Sequence, residues 1–145
     1  MTEKLTGLRR FRVEDMDDLL NVWLSASIEA HDFVAASYWQ SQVENMRHLY
    51  LPASEVYVYL LSGELVGFYA LYENTLAAIF VSPDCQGQGI GTLLLDHAKL
   101  QRAQLSLTVY KENQASCQFY LKQGFHVVRE QTDEHTGHAE LVMST

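Results

Sequence analysis

The sequence has few of the residues that would indicate a membrane span, a disulfide framework or a metal centre. Its 145 residues include only two cysteines and two prolines, and no apolar run approaches the length of a membrane span. Residues 1–5 do not resemble a secretory signal, so we expect a cytoplasmic protein with reduced cysteines. The histidines, including His135 and His138 in a polar stretch, have no metal-ligand spacing, and no metal is predicted.

Basic residues are also scarce. There are 10 lysines and arginines against 18 acidic residues, which gives a formal net charge of −8. This balance disfavours a nucleic-acid groove and favours cationic partners through long-range attraction. A hydrophobic content of 48% and the length of 145 residues suit one globular domain over residues 1–145.

The most informative stretch is a glycine-rich segment, residues 81–92. It lies between an apolar run at 76–81 and a helix-like run at 90–100, and its glycines stand at 87, 89 and 91. Bare N–H groups at the start of a helix, together with the helix dipole, predict an anion site. No lysine follows the glycines, which excludes a Walker loop, and Thr92 stands where a dinucleotide fingerprint needs glycine.

A second motif occupies residues 113–120 and is followed by Gly-Phe at 124–125. On a helix, Asn113, Ser116 and Tyr120 share one face, and this polar stripe predicts that the helix lines a site. A structural interpretation also exists, in which Asn113 caps the helix and Tyr120 is a half-buried aromatic residue.

The two motifs together resemble those of the GNAT N-acetyltransferases, over residues 79–125. Gln86, Gly89 and Gly91 match the Q-x-x-G-x-G loop that binds the acyl-CoA pyrophosphate in that family. Asn113 and Tyr120 match its N-x-x-S/A-x-x-x-Y helix. The resemblance implies an α/β fold, with a central mixed sheet of about seven strands flanked by about four helices.

The resemblance also implies how acetyl-CoA is held. The implied cofactor-binding residues are Ile79, Phe80, Val81, Gln86, Gly87, Gln88, Gly89, Ile90, Gly91, Thr92, Asn113, Ser116 and Tyr120. Backbone amides near Phe80 and Val81 would polarise the thioester carbonyl and bind the pantetheine, and Asn113 would bond to the same arm. Tyr120 would act as the catalytic acid, because a phenol with a pKa of about 10 can protonate a leaving thiolate.

The base that would deprotonate the amine is not evident. Many GNAT enzymes carry a glutamate on the fourth or fifth strand, but residues 75–79 and Thr108 offer no carboxylate there. His31, in the expected acceptor-side connection, is predicted to be catalytic, directly or through water, because the ordinary pKa of histidine lies near neutrality. A helix-end histidine bonded to backbone is the alternative.

The implied activity is transfer of the acetyl group of acetyl-CoA to a primary amine, on a protein lysine, a protein N-terminus or a small amine. The protein would act as a monomer or homodimer, without nucleic acid or membrane. A CoA-binding sensor with little or no transferase activity is the alternative, favoured by the missing carboxylate. A toxin acetylating aminoacyl-tRNA fits poorly with the acidic charge. Aromatic residues expected to shape the acceptor pocket, or else the core, are Trp23, Phe33, Tyr38 and Trp39.

Periodicity and turn residues predict the elements. Strands are expected at 8–12, 55–61, 65–72, 75–81, 105–110, 125–130 and 139–143. Helices are expected from about 16 to an end within 27–33, and at 37–50, 90–100 and 114–123. The strands from 55 to 81 should form an antiparallel meander covered on both faces, and the strand at 105–110 should run parallel to that at 75–81.

Overall fold

A computed structural model describes residues 7–145 of the chain, and the expectation about a secretory signal rests on residues outside that range. The strands are β1 (Leu8–Arg10), β2 (Glu55–Leu61), β3 (Glu64–Tyr72), β4 (Thr75–Val81), β5 (Ser106–Tyr110), β6 (His126–Thr132) and β7 (Ala139–Ser144). The main helices are α1 (Met16–Ala30), α2 (Ala36–Ser41), α3 (Ile90–Gln101) and α4 (Gln114–Lys122). Shorter helical turns cover Val13–Asp15, Val43–Asn45, Met46–Tyr50 and Pro83–Cys85.

The strands form one mixed sheet in the order β1-β2-β3-β4-β5-β7-β6. The meander from β2 to β4 is antiparallel, and β5 runs parallel to β4, as predicted. Within the described chain, β4 and β5 are paired at a single position, Thr75 opposite Ser106. Because no further pairing holds them together, the two strands separate toward their carboxyl ends and open the sheet at its centre.

The core has two parts, one on each face of the sheet. Phe68 and Tyr69 are neighbours on β3, point to opposite faces, and are both fully buried. Phe68 packs in the cluster with Trp23 of α1, whereas Tyr69 packs in the cluster with Leu94 of α3. The predicted cover on both faces of the meander is therefore confirmed for β3, whose interior residues are all buried.

The second predicted helix, at 37–50, is not continuous. The N–H of Gln42 donates to the carbonyl of Trp39, three residues back, and α2 ends there. After one further α-helical turn, a wider π turn covers Met46–Tyr50, and the N–H of Leu51 donates to the carbonyl of Met46. Because of this wider turn, both Met46 and Leu51 are buried in the core. In a regular α-helix, residues five apart point to different sides.

Other local predictions are confirmed. Helix α4 ends before Gly124, which has a φ of +94° and supplies the left-handed residue that commonly follows a helix. Cys85 and Cys117 are both free thiols. No helix within residues 7–145 is long and apolar enough to cross a membrane.

Candidate active site

A cavity of about 930 Å³ lies where β4 and β5 separate. Its wall includes the end of α1, strand β4, the glycine loop, the start of α4, and parts of β5 and β7. All of the predicted site residues except Gln88 line it: His31, Ile79, Phe80, Val81, Gln86, Gly87, Gly89, Ile90, Gly91, Thr92, Asn113, Ser116 and Tyr120. The structure therefore brings both sequence motifs and His31 into one cavity.

The glycine loop gives the cavity a row of free backbone donors. Gly87 and Gly89 have φ values of +79° and +84°, in the left-handed region that favours glycine. The first helical bond of α3 runs from the N–H of Leu93 to the carbonyl of Gly89, so the N–H groups of residues 90–92 have no partner within the helix. The side chain of Gln86 donates to the carbonyl of Val81 at 3.1 Å and ties the loop to β4.

This end of the cavity is suited to phosphate. Free amides at the positive end of a helix dipole attract anions. No lysine or arginine of the described range lines the cavity, so an anion there would be held by backbone amides, the helix dipole and uncharged side chains. A Cβ atom built at Gly91 would lie 3.7 Å from the ring of Phe119, an ordinary contact distance, so this position can accommodate a side chain.

Asn113 has two roles in the geometry. Its Oδ1 accepts a hydrogen bond from the N–H of Ser116 at 3.2 Å, which confirms the predicted helix cap. Its Nδ2 lies 3.3 Å from Nε2 of His31. Because Oδ1 is taken by the cap, the amide nitrogen faces the histidine, and Nε2 of His31 is the acceptor.

Tyr120 is half-buried in the cavity wall, with its ring against Phe119 and Phe125 at centroid distances of 5.4 and 5.7 Å. Burial raises the pKa of Tyr120 above that of an ordinary tyrosine. The phenol is therefore protonated at neutral pH and can donate a proton. No residue of the described range accepts a hydrogen bond from its hydroxyl.

His31 ends α1, where its N–H donates to the carbonyl of Ser27 at 3.0 Å. The ring is buried, and burial lowers the pKa of His31 to about 4. With Nε2 accepting from Asn113, the proton of the neutral ring resides on Nδ1, which has no partner within residues 7–145. A catalytic role for His31 stays a prediction, and its low pKa and occupied lone pair weigh against strong basicity.

Aromatic rings surround His31. Its ring centroid lies 5.2 Å from that of Trp39 and 5.1 Å from that of Tyr110. Trp23 and Trp39 line the cavity, in line with the expectation from the sequence. Phe33 and Tyr38 are not part of the cavity wall, but they contact the rings of Tyr110 and Trp39 at 5.4 and 5.0 Å.

Three polar residues of the cavity wall were not predicted from the sequence: Tyr110, Asp133 and Glu140. The hydroxyl of Tyr110 donates to Asp133, as do the hydroxyl of Thr136 at 3.1 Å and the N–H of His135 at 3.0 Å. Burial alone would raise the pKa of Asp133, but these hydrogen bonds hold it below its ordinary value. Tyr110 could have been predicted, because alternation along β5 places it on the same face of the sheet as Thr108. No local pattern of the sequence marks the two carboxylates.

Comparison with known proteins gives consistent results. Residues 52–127 match the family model of the acetyltransferase (GNAT) domain. The peptidyl-lysine N-acetyltransferase YiaC of Escherichia coli (strain K12) is 34% identical over 122 residues, covering 83% of this chain and 84% of YiaC. The peptidyl-lysine N-acetyltransferase YjaB of the same organism is 31% identical over 130 residues, covering 88% of each chain.

Solved structures agree with these matches. The solution structure of apo-form YjaB from Escherichia coli superposes with a TM-score of 0.83 at 28% identity, covering 94% of this chain and 95% of that chain. The PaiA N-acetyltransferase of Thermoplasma acidophilum, solved in complex with coenzyme A, gives a TM-score of 0.78 at 20% identity, covering 95% and 96%. The second likeness concerns the fold alone, and both confirm the predicted fold class.

Proposed function

Because this chain belongs to the GNAT family of N-acetyltransferases, we propose that it transfers the acetyl group of acetyl-CoA to the ε-amine of lysine residues in proteins. The chain is an N-acetyltransferase, and the alternative of a sensor without transferase activity is not favoured. The lysine acceptor is our extension from YiaC and YjaB, two relatives named as peptidyl-lysine N-acetyltransferases. The acidic and aromatic end of the cavity supports it, since carboxylates and ring faces both attract a cation.

One observation carries the proposal: a single cavity joins an anion-binding loop, a protonated tyrosine and an acidic, aromatic end. Acetyl-CoA fits this order, with its pyrophosphate on the amides of residues 90–92 and its pantetheine along β4. Beyond Thr75, the β5-facing edge of β4 has no strand partner within the described residues, so backbone groups near Phe80 and Val81 are available for the pantetheine and the thioester carbonyl. The thioester would then lie beside Asn113 and Tyr120.

We assign the acid role to Tyr120. The attacking amine forms the new N–C bond, the C–S bond breaks, and the sulfur leaves with the electron pair. A protonated phenol beside that sulfur can supply the proton it needs. Asn113 and the uncharged His31 form the wall next to the thioester, where Nε2 of His31 holds the amide of Asn113 in place.

Binding of acetyl-CoA tests the loop. We would titrate the wild type, Gly91→Asp and Gly91→Asn with acetyl-CoA in a calorimeter. Position 91 has a φ outside the left-handed region and room for a side chain, so both variants should fold. An aspartate in the first turn of α3 suits the helix dipole but repels pyrophosphate, and we expect its Kd to rise about tenfold or more, with asparagine closer to the wild type.

Acceptor identity needs a second assay. We would incubate the enzyme and acetyl-CoA with peptides that carry one lysine and a blocked N-terminus, with peptides that carry a free N-terminus and no lysine, and with a polyamine. Mass spectrometry would locate the acetyl group. Acetylation of the lysine peptide above the other two supports the proposal. Acetylation of only the N-terminal peptide or the polyamine would contradict it.

A further inference from the structure

We propose that Glu140 accepts the proton that the acceptor's ammonium group must lose before it attacks acetyl-CoA. The inference rests on the proposed function, because it concerns an acceptor that arrives as a cation. A lysine amine has a pKa of about 10.4, so almost all of it is protonated at neutral pH, and the protonated form has no lone pair for attack. Some group at the acceptor end of the cavity must therefore take a proton.

The sheet register places Glu140 at that end. Strand β7 lies between β5 and β6, with Glu140 opposite Tyr110 and Val142 opposite Thr108. Residues directly opposite each other in an antiparallel pair point to the same face of the sheet. The ring of Tyr110 contacts His31 on the face of the sheet that α1 covers, so Glu140 projects from that face too, and it lines the cavity. A carboxylate that β4 and β5 lack is thus supplied by the neighbouring strand.

The carboxylate of Glu140 is fixed but not saturated. Nε2 of Gln131 donates to its Oε1 at 2.7 Å, and Oε1 of Gln131 accepts from Nε of Arg129 at 3.3 Å. The second bond fixes which end of the Gln131 amide faces Glu140. Oε2 of Glu140 has no partner within residues 7–145, and no lysine, arginine or histidine of that range forms an ion pair with this carboxylate. One oxygen is therefore held in place while the other is open to a proton.

The other titratable groups at this end of the cavity are less suitable. Asp133 accepts hydrogen bonds from Tyr110, Thr136 and the N–H of His135, which stabilise its ionised form. Glu29 is exposed to solvent near the end of α1. Nε2 of His31 already accepts from Asn113. We assign to Asp133 the role of a fixed negative charge that attracts the ammonium group, and to Glu140 the role of proton acceptor.

The steps balance. An N–H bond of the ammonium breaks and its proton moves to Oε2 of Glu140, leaving a neutral amine. The amine lone pair forms the N–C bond, and the C–S bond then breaks with its electron pair on sulfur. Tyr120 protonates the thiolate and regains a proton from the new amide nitrogen. The products are the acetylated lysine, the thiol of CoA, and one proton that Glu140 releases to solvent.

The test compares the wild type with Glu140→Gln and with the matched control Glu130→Gln. Glutamine at 140 still offers an oxygen to Gln131, so the local structure should persist, and circular dichroism and acetyl-CoA titration would check this. Glu130 lies on the neighbouring strand β6, pairs with Lys111 at 2.9 Å, and is not part of the cavity wall. We would measure kcat/KM for a lysine peptide from about pH 6 to pH 10, a range that reaches the pKa of the acceptor.

We expect Glu140→Gln to lower kcat/KM about a hundredfold near pH 7. The loss should become smaller as the pH approaches the pKa of the lysine amine. It should also be smaller for a peptide in which lysine is replaced by the less basic thialysine. Glu130→Gln should follow the wild type throughout. An active wild type whose rate and pH profile are unchanged in Glu140→Gln would overturn this inference alone. A wild type that binds acetyl-CoA but acetylates no lysine peptide would overturn the proposed function, and this inference with it.

Discussion

Tyr120, which we propose as the acid, is held in the cavity wall by the rings around it. Its ring packs between Phe119 and Phe125, and burial raises the pKa of its phenol, so the phenol keeps its proton at neutral pH. A solvated tyrosine would also be protonated at neutral pH, but it would not be held at a fixed place in the wall. Position and protonation state together make it a suitable acid.

Replacement of Tyr120 by phenylalanine tests this role. The ring and its packing remain, so the fold and the affinity for acetyl-CoA should change little, whereas kcat should fall about tenfold or more because the proton donor is lost. Steady-state kinetics with a lysine peptide, together with calorimetric titration of acetyl-CoA, separate the two effects. Near-normal turnover in this variant would remove Tyr120 from the mechanism.

His31 gives the protein a pH-dependent component of stability. The pKa of His31 is lowered by burial from 6.5 to about 4, so the unfolded chain binds this proton at a higher pH than the folded chain does. Between about pH 6.5 and pH 4 the unfolded state holds more protons, and the free energy of unfolding falls as the pH falls. The full loss, reached below pH 4, is about 3 kcal/mol.

Replacement of His31 by glutamine removes that component. We expect the stability of the variant relative to the wild type to improve by about 2 kcal/mol or more between pH 7 and pH 4.5, as measured by urea unfolding at both values. Carboxylates titrate in both proteins and cancel in the comparison. A difference in unfolding free energy that is the same at both pH values would show that the histidine does not titrate in this way.

At the scale of elements, two glycines of the loop differ in their backbone conformation. A Cβ at Gly87 meets no atom within 4 Å, yet the φ of +79° makes any side chain there unfavourable. Gly91 lies in the first turn of α3 with a φ outside that region, and its Cβ would find an ordinary contact at 3.7 Å. Backbone conformation requires the first glycine, whereas neither backbone conformation nor close packing requires the second.

Alanine substitutions should therefore act in opposite directions. We expect Gly87→Ala to lower the free energy of unfolding by about 1 kcal/mol through left-handed strain, and Gly91→Ala to raise it by up to about 1 kcal/mol. Urea unfolding without ligand measures both. Equal losses of stability in the two variants would contradict the assignment.

The elements also show what the sequence can and cannot reveal. Strands β2 and β4 were predicted with the bounds that the structure has, because alternation and turn residues are local signals. The break after α2 was not, because the π turn depends on Met46 and Leu51 both reaching the core, which no local pattern encodes. Local alternation and turn residues decide the first case, and contacts with distant elements decide the second.

The same distinction applies to the site. The glycine loop and the start of α4 are short consecutive motifs, and their residues could be named before their positions were known. Tyr110, Asp133 and Glu140 meet because β7 inserts between β5 and β6, so a neighbour in the sheet is not the neighbour in the chain. Strand order of this kind depends on packing of the whole sheet. The group formed by these three residues was consequently the part of the cavity wall that the sequence did not predict.

At the scale of the whole molecule, the net negative charge should repel an anionic substrate and attract a cationic one. The protein carries a formal net charge of −8, and in the described range the cavity wall holds carboxylates but no lysine or arginine. Acetyl-CoA, with its phosphates, approaches against this field, and in our proposal the amides of the loop then bind its pyrophosphate. A cationic lysine peptide approaches with the field.

The ionic strength should therefore affect the KM values of the two substrates differently. Screening weakens long-range repulsion as well as attraction, so raising the ionic strength should lower the KM for acetyl-CoA, or leave it unchanged, while it raises the KM for a lysine peptide with basic neighbours. Steady-state kinetics at several salt concentrations measure both constants. Acetyl-pantetheine, which lacks the phosphates of the nucleotide, is the matched control, and its KM should not follow the salt concentration. If the KM for acetyl-CoA rises with salt as steeply as that for the peptide, cationic groups outside the cavity wall hold the phosphates, and the amides of the loop are not their main binding site.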